Sequence, residues 1–333
     1  TALGRPTVDT TGDATAIPES HRAAVLPAYP AFRSFELVSV GIDGELVLCF
    51  DHPVEDDPAN PFGLDVVVFG NEFQQLAGQA RWAGGDPGDV VFANTLASHE
   101  PGLVSVSQDG GTWFTFPAGP HADTFAPTLG RRYDPTRPDP ALGPSNAWWG
   151  SPTDPRWPLD PAVTTNDFAG RTVADVCRAY GPSAGGAAYD VGALPLPIAP
   201  DTGRKWFRYL RVQPAEPWVI PEVDAIADVA PAKGYEGWQL EQFAFWDRTN
   251  DVIAGEAADP DGDGCTNLLE YATGRDPWGT DGAPLLEIGT VVESNVNYVT
   301  VSFARRAELI DTVICLEQST DFETWSTSGV EQA

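Results

Sequence analysis

The chain has 333 residues, 42% of them hydrophobic, and it carries a formal net charge of −29. The hydrophobic content is enough for a sizeable core, which argues against a globally disordered chain. A surface this acidic repels phosphate groups, which argues against nucleic acids and anionic membranes as partners and favours divalent cations.

Glycine and proline are frequent, with 33 and 31 residues, and they are dispersed rather than periodic. They separate short apolar runs, and long helical patterns are scarce. This arrangement is typical of an all-β protein with many turns and long loops. No stretch approaches the roughly 18 apolar residues that a membrane-spanning helix requires, so no membrane insertion is predicted.

The first predicted elements follow an N-terminal segment, residues 1–34, that is polar, interrupted by proline and expected to be extended. Residues 35–40 and 45–50 flank the turn sequence Gly-Ile-Asp-Gly, which predicts a β-hairpin. A β-sandwich domain is therefore expected to begin at residue 35.

Two further β-patterns follow in the chain. Residues 65–69, Asp-Val-Val-Val-Phe, form a continuous apolar run, which predicts a central strand buried on both faces. Residues 103–107 and 112–116 flank Gln-Asp-Gly-Gly, which predicts a second hairpin. A short helix is predicted at residues 171–180, and strands that complete the domain at residue 249 are predicted at residues 206–212, 223–229 and 238–246.

Between these elements, residues 117–165 form a long, proline-rich loop with three tryptophans, Trp148, Trp149 and Trp157. A loop this long is usually functional or an elaborated insertion. The three rings could stack on a sugar or a flat cofactor, or they could pack the loop onto the sandwich.

The composition becomes acidic and glycine-rich in residues 250–282, which we interpret as a calcium-binding linker. Three strand patterns follow, at residues 285–292, 298–303 and 312–318. They predict a small C-terminal β-module over residues 283–333 that has no obvious closing strand.

The linker contains Asp-Pro-Asp-Gly-Asp-Gly-Cys-Thr-Asn-Leu-Leu-Glu at residues 259–270. The EF-hand loop pattern requires Asp at position 1, acids or amides at 3 and 5, Gly at 6 and Glu at 12, and this sequence meets each requirement. Alternate residues of so tightly curled a loop converge on one hard cation. The predicted calcium ligands are the side chains of Asp259, Asp261, Asp263, Asn267 and Glu270 and the backbone carbonyl of Cys265.

A helix is predicted to leave this loop over residues 266–273 and to end at Gly274. No amphipathic helix is predicted to enter the loop, so the motif is half of an EF-hand and is interpreted as a structural clip rather than a sensor. Extracellular sites of this kind bind calcium at ~10⁻⁴ to 10⁻³ M. The alternative is an acidic, solvated loop without an ion.

The four cysteines form an even set without a Cys-x-x-Cys motif, which argues against zinc and thioredoxin-type sites. In an exported protein they would form disulfides. The pairs Cys49–Cys177 and Cys265–Cys315 are preferred because each stays within one predicted domain. Four free thiols are the alternative.

A second metal or ligand site is suggested by polar residues at strand ends or within apolar runs: Asp65, Asn71, Glu100 and Asp224. Burying such groups costs free energy unless they are paired or bound to a metal. Hydrogen bonding to loop backbone is the alternative.

Catalytic motifs are missing from the sequence: the four histidines are scattered, and no Gly-x-Ser-x-Gly, P-loop or dinucleotide fingerprint is present. The sequence therefore favours a non-catalytic protein. A carbohydrate-active enzyme stays an alternative, because the 48 acidic residues supply many carboxylate pairs.

The loop at residues 259–270, followed by Tyr271 and by Gly-Arg-Asp-Pro at residues 274–277, resembles the thrombospondin type-3-like calcium linkers of large bacterial secreted proteins. The sequence Glu-Gln-Ser-Thr-Asp-Phe-Glu-Thr-Trp at residues 317–325 is similar to the end of the β-module that often follows such linkers. The resemblance implies a secreted or surface-exposed protein.

The larger part of the chain resembles a family of bacterial cell-surface proteins that often carry C-terminal sorting tags. The similarity rests on Leu-Asp-Val-Val-Val-Phe-Gly-Asn-Glu-Phe at residues 64–73, Val-Ser-Val-Ser-Gln-Asp-Gly at 104–110 and Glu-Val-Asp-Ala-Ile at 222–226. Gly70 stands where the family usually has an acid. The resemblance implies a jelly-roll β-sandwich and, as a partner, an outer-membrane uptake system or another surface component.

These observations together predict an extracellular or surface-attached, calcium-stabilised binding protein without catalytic activity. Its ligand would be a small molecule or another surface component. A structural or adhesive matrix or filament protein is the first alternative, and a carbohydrate-active enzyme is the second.

Overall fold

The computed structural model describes residues 4–117, 119–143, 146–280, 284–307 and 309–328. The chain divides into two compact units, Thr1–Ala232 and Lys233–Ala333. The division falls earlier than the domain boundary expected at residue 249. The difference arises because residues after 232 form a helix that packs with the segment predicted to bind calcium.

The larger unit consists mainly of short strands. They are β1 (Asp9–Thr11), β2 (Arg22–Ala24), β3 (Val38–Ser39), β4 (Leu46–Glu55), β5 (Val66–Phe69), β6 (Phe73–Leu76), β7 (Phe92–Ala97), β8 (Gly102–Ser107), β9 (Phe114–Thr115), β10 (Arg131–Tyr133), β11 (Trp149–Pro152), β12 (Ala187–Tyr189), β13 (Trp206–Pro214), β14 (Glu222–Val223) and β15 (Ala225–Asp228). Its helices are α1 (Thr165–Phe168) and α2 (Val173–Tyr180), and 3₁₀ turns lie at Pro61–Gly63, Asn146–Trp148 and Val191–Ala193.

Two antiparallel sheets form the centre of this unit. One has the strand order β4-β13-β8-β9 and the other the order β12-β5-β15. Side chains from both sheets form one buried cluster, which includes Val68, Val106 and Leu210. Burying an aliphatic side chain of this size stabilises the fold by ~1.5–3 kcal/mol. The fold is therefore β-rich, with small antiparallel sheets, as the sequence predicts.

Several predicted elements are confirmed in this unit. β5 is the middle strand of its sheet and is buried on both faces, since Val68 joins the main cluster and Val67 a second one. β8 and β9 form the predicted second hairpin, in which Val106 pairs with Phe114. α2 is the predicted helix, and the side chain of Thr172 accepts a hydrogen bond from the amide of Asp175 at its N-terminus.

The predicted first hairpin is wrong. β3 pairs with β14, so that Val38 faces Val223, while β4 pairs with β13. The turn itself forms, because the amide of Gly44 donates to the carbonyl of Gly41 at 2.8 Å. The long antiparallel register between β4 and β13 supplies more ladder hydrogen bonds than a short local hairpin would, so the non-local pairing is formed instead.

The N-terminal segment is part of the folded unit rather than an extended lead-in. β1 and β2 pair with each other, and Val25, Leu26 and Tyr29 are completely buried. The guanidinium of Arg131 in β10 binds both carboxylate oxygens of Asp9 at 2.6 Å. Residues before 35 therefore contribute a hairpin, core side chains and a buried ion pair.

The described residues of the smaller unit, 233–280, 284–307 and 309–328, form two helices, a 3₁₀ turn and one hairpin. They are α3 (Gly234–Gln242), the turn Asp247–Thr249, α4 (Asn267–Thr273), β16 (Glu287–Glu293) and β17 (Val296–Ser302). The β16–β17 hairpin confirms two predicted strands. The predicted strand at residues 312–318 is not formed, and within it only Gln318 makes an isolated bridge, to Ser326.

The predicted strand at residues 238–246 is wrong, because this region begins within helix α3. Tyr235 and Trp238 are three residues apart and lie on one face of α3, where both rings pack against Tyr271 of α4. Helical spacing of aromatic residues thus prevails over the β-propensity of each residue. Among the described residues, no helix is long and apolar enough to cross a membrane.

The predicted disulfides are not formed. All four cysteines are free thiols. Cys49 is exposed on β4, whereas Cys177 is completely buried within α2. Cys265 is buried in the smaller unit and Cys315 is exposed. Each predicted pair therefore combines a core position with a surface position.

Candidate metal centre

The loop at residues 259–264 is held in a tight curl by its own carboxylates. The two oxygens of Asp259 accept hydrogen bonds from the amides of Gly262 at 2.9 Å and Gly264 at 3.0 Å. Asp261 accepts from the amide of Asp263 at 3.1 Å. Gly264 has a φ of +93°, in the region that favours glycine, so this residue permits the turn that brings the acids together.

Three predicted ligands converge in this loop. Carboxylate oxygens of Asp259, Asp261 and Asp263 all lie within 4.8 Å of one another. Oδ2 of Asp261 is buried and has no hydrogen-bond partner among the described residues. Burial and the neighbouring Asp263 and Asp259 raise the pKa of Asp261, so the three acids repel one another unless a cation is bound.

Glu270, the last residue of the predicted loop, lies within α4 and is completely buried. It does not belong to the group of oxygens within 4.8 Å. The Glu270 carboxylate is nevertheless close to Cys265 in the loop. Burial is the main cause of the raised pKa of the Cys265 thiol, and the charge of Glu270 adds to this effect. The amide of Cys265 donates to Asp263 at 2.7 Å, which leaves the Cys265 carbonyl as the predicted ligand group.

Asn267 holds the chain that enters the loop. Its side-chain nitrogen donates to the carbonyls of Ile253 at 2.8 Å and Gly255 at 2.9 Å, and its backbone amide donates to Ala258 at 2.8 Å. The amide of Leu268 donates to the carbonyl of Glu256 at 3.0 Å. The segment before the loop is thereby joined to the first turn of α4.

The donor set of the loop fits calcium. Its members are carboxylate and carbonyl oxygens, which are the ligands that hard cations prefer. Oxygens that bind one Ca²⁺ at ~2.3–2.6 Å can be separated by up to about 5 Å, and the three Asp oxygens meet this condition. Asp259, Asp261 and Asp263 would therefore hold the ion, and its charge would neutralise their mutual repulsion.

The four residues predicted to form a second site are not all at one place. Asp65 precedes β5 and accepts hydrogen bonds from the amides of Asp57 at 3.0 Å and Val191 at 2.8 Å. Burial raises the pKa of Asp65 to about 6. Asn71 lies beyond the other end of β5, roughly 20 Å along an extended chain. Carboxylate oxygens of Asp65, Asp56 and Asp190 also lie within 4.8 Å of one another. Asp65 is thus bonded to loop amides and also placed where a metal could bind, so both interpretations of this residue stay predictions.

The other three predicted residues lie near the end of β5. Asp224 accepts hydrogen bonds from the amide of Thr7 at 2.8 Å and from its hydroxyl at 2.9 Å. The side-chain nitrogen of Asn71 donates to Glu222. The pKa of Glu100 is raised mainly by burial and, to a smaller extent, by the charge of Glu222. Asn71 and Glu100 are therefore brought near one carboxylate, while Asp224 is bound to the N-terminal segment.

Sequence reasoning missed two buried acids at this place, Glu72 and Asp123. Glu72 is adjacent to Asn71, so it could have been recognised from the run Gly-Asn-Glu. Asp123 lies in the long loop after β9, where no sequence pattern indicates its position. The glycine at position 70 is explained by both acids: a Cβ there would lie 2.5 Å from Asp123 Oδ1 and 2.6 Å from Glu72 Oε2.

The three tryptophans of the long loop are not equivalent. Trp149 is completely buried and packs edge-on against Trp82 and Tyr133, with ring centroids 6.0 Å apart in each case. It therefore fastens the loop to the unit and offers no face to a ligand. Trp148 and Trp157 are half-buried, and ligand stacking by these two stays a prediction.

The larger unit has an open cavity of about 740 Å³ lined by residues of β4, β15 and the segment around residue 155. Both ring nitrogens of His52 face carboxylate acceptors, Nδ1 at 2.5 Å from Asp51 and Nε2 at 2.8 Å from Asp228. Arg156 forms two hydrogen bonds with Asp154, at 3.0 and 2.6 Å. The cavity therefore presents charges of both signs, and its volume suits a small molecule.

Comparisons with known proteins do not assign this arrangement. No family model matches the chain, and no curated protein or solved structure is significantly similar to it.

Proposed function

We propose that the protein is a calcium-stabilised, non-catalytic binding protein of the cell exterior. The proposal depends mainly on the convergence of the carboxylates of Asp259, Asp261 and Asp263 within 4.8 Å. A calcium ion bound there would hold residues 253–258 against helix α4. Its role would be structural, because α3 and α4 are already packed together through aromatic rings.

Two further features support a binding role in the larger unit. The two central sheets share one core, as the sheets of a jelly-roll sandwich do, and we assign the unit to that architecture. The cavity of about 740 Å³ is a suitable place for a small polar ligand. The resemblance to surface proteins near uptake systems suggests that this ligand, or the surface component that carries it, lies outside the cell.

The calcium assignment is tested by thermal unfolding of the full chain, stripped with chelator and then measured with and without calcium. At a calcium concentration 100 times the dissociation constant, binding stabilises the folded state by ~2.7 kcal/mol. For a unit of this size we expect the transition of the smaller unit to rise by roughly 10–20 °C. Asp261→Asn should remove most of this rise.

Asp251→Asn is the matched control, because Asp251 is an exposed acid of the same unit outside the loop. It should keep the wild-type response to calcium. An unchanged melting profile after chelation, or an equal response in Asp261→Asn, would reject the calcium assignment. The binding role has its own test: turnover of a glycan that one Asp or Glu substitution abolishes would show an enzyme instead.

A further inference from the structure

Carboxyl groups from separate segments of the larger unit meet where β5 ends. Glu72 follows β5, Asp123 lies in the loop after β9, and Glu222 begins β14. Glu72 is 1% exposed and Asp123 is completely buried. Such a concentration of acidic groups in a core is costly unless each charge is compensated.

Glu72 and Asp123 face a common point. The position of a Cβ on Gly70 is 2.5 Å from Asp123 Oδ1 and 2.6 Å from Glu72 Oε2. Both distances are measured from one point, so the separation of the two oxygens cannot exceed the sum of the two distances, about 5.1 Å. Two oxygens bound to one Ca²⁺ at ~2.3–2.6 Å can be this far apart.

Three backbone amides stabilise Asp123, whereas the carboxyl group of Glu72 faces that of Asp123. The amides of Asn71 and Glu72 donate to Asp123 Oδ1 at 3.0 and 3.1 Å, and the amide of Glu222 donates to Oδ2 at 3.0 Å. Neither carboxyl oxygen of Glu72 has a hydrogen-bond partner among the described residues. Burial, and after it the charge of Asp123, raises the pKa of Glu72. This side chain therefore requires a proton or a cation.

Asn71 adds a third oxygen. It is 7% exposed, and its Oδ1 is buried without a hydrogen-bond partner among the described residues. Its side-chain nitrogen donates to Glu222, which fixes the orientation of the amide. Glu222 and Glu100 are half-buried, so an ion could reach the cluster from this side.

We propose that Glu72, Asp123 and the amide oxygen of Asn71 bind a second calcium ion within the larger unit. Glu222 orients the Asn71 amide from the solvent side. All of these groups are oxygen donors, which favour hard cations over zinc or copper. They come from loops and strand ends, and this irregular arrangement suits the variable coordination of Ca²⁺ better than the strict octahedron of Mg²⁺.

The test is the number of calcium ions bound by the full chain, measured by equilibrium dialysis with radiolabelled calcium after chelator treatment. Glu72→Gln removes the charge but keeps the shape of the side chain, and Asp261→Asn disables the loop. We expect each variant to bind one ion fewer than the wild type, and the combined variant to bind none specifically. Glu36→Gln is the same change at a half-buried acid that accepts hydrogen bonds from Thr10, and it should keep the wild-type number.

Thermal melts provide a second readout for a variant that folds poorly. With calcium, Glu72→Gln should melt below the wild type. With chelator the order should reverse, because the variant no longer buries an uncompensated carboxyl group. If Glu72→Gln binds as many ions as the wild type, or if the order does not reverse, Glu72 and Asp123 share a proton and the second site is rejected.

The two proposals can fail separately. Loss of an ion in Asp261→Asn but not in Glu72→Gln rejects the second site and leaves the proposed function unchanged. Loss in Glu72→Gln alone rejects the loop as the calcium site and retains the site in the larger unit.

Discussion

The ion pair between Asp9 and Arg131 should make the N-terminal segment essential for the stability of the larger unit. The Arg131 guanidinium forms two hydrogen bonds of 2.6 Å with Asp9, and the side chains are 9% and 11% exposed. Removing one partner of a buried pair typically costs 3–5 kcal/mol. Asp139 also binds Arg131, at 3.0 Å, and partly compensates its charge, so we expect Asp9→Asn to cost about 3 kcal/mol.

This loss corresponds to a decrease of about 6–12 °C in the melting temperature of a unit of this size. Differential scanning calorimetry of the full chain in calcium measures it. Arg22→Gln is the control, because Arg22 approaches Asp9 at 3.4 Å and Asp139 at 3.0 Å but is 46% exposed, and it should cost under ~1 kcal/mol. Equal effects of the two substitutions, or a loss below ~1 kcal/mol for Asp9→Asn, would refute the reasoning.

Two further predictions concern titratable side chains. Cys49 should react with a thiol reagent in the folded protein, whereas Cys177, which is completely buried, should react only after unfolding; a recovered Cys49–Cys177 disulfide would contradict this. Hydrogen bonds with Asp228 and then Asp51 raise the pKa of His52 above 6.5. Protonated His52 contributes under ~1 kcal/mol to the stability of the fold, because its side chain is 52% exposed. This contribution is present below pH 6.5 and is lost as the pH rises through the pKa of His52 in the folded state. Titration by NMR checks this, and a His52 pKa at or below 6.5 would oppose it.

The elements that sequence patterns predicted correctly depend on local chemistry. β5 is a continuous apolar run, the β8–β9 hairpin has Asp-Gly in its turn, and α2 has a threonine at its N-terminus. The tight curl of residues 259–264 depends on local interactions as well, because Asp259 accepts hydrogen bonds from two neighbouring amides, whereas calcium binding by this loop stays a prediction. For the hairpin, α2 and the loop, these interactions lie within about ten residues. For β5 the apolar run indicates burial, while its partner strands β12 and β15 lie far along the chain.

The elements that could not be predicted depend on contacts between distant segments. β3 pairs with β14, far along the chain, and no local signal identifies that partner. Helix α3 is short and aromatic, so its sequence suits a strand until Tyr271 is available for packing. Asp123 joins Glu72 only because the loop after β9 returns to the end of β5, which explains why this acid was missed.

The hydrogen bonds of Asn267 restrict which side chains the predicted calcium loop tolerates at position 267. Its side-chain nitrogen is the donor for two carbonyls, those of Ile253 and Gly255. Aspartate at this position would bring another negative charge near the proposed ion, but a carboxylate cannot donate. The Ile253 carbonyl would then lose its partner at a cost of about 1–3 kcal/mol, and the Gly255 carbonyl would keep only the amide of Ala258. Tighter calcium binding by this route would therefore weaken the fold around it. Selection for higher affinity should instead change positions whose side chains make no hydrogen bond to the backbone.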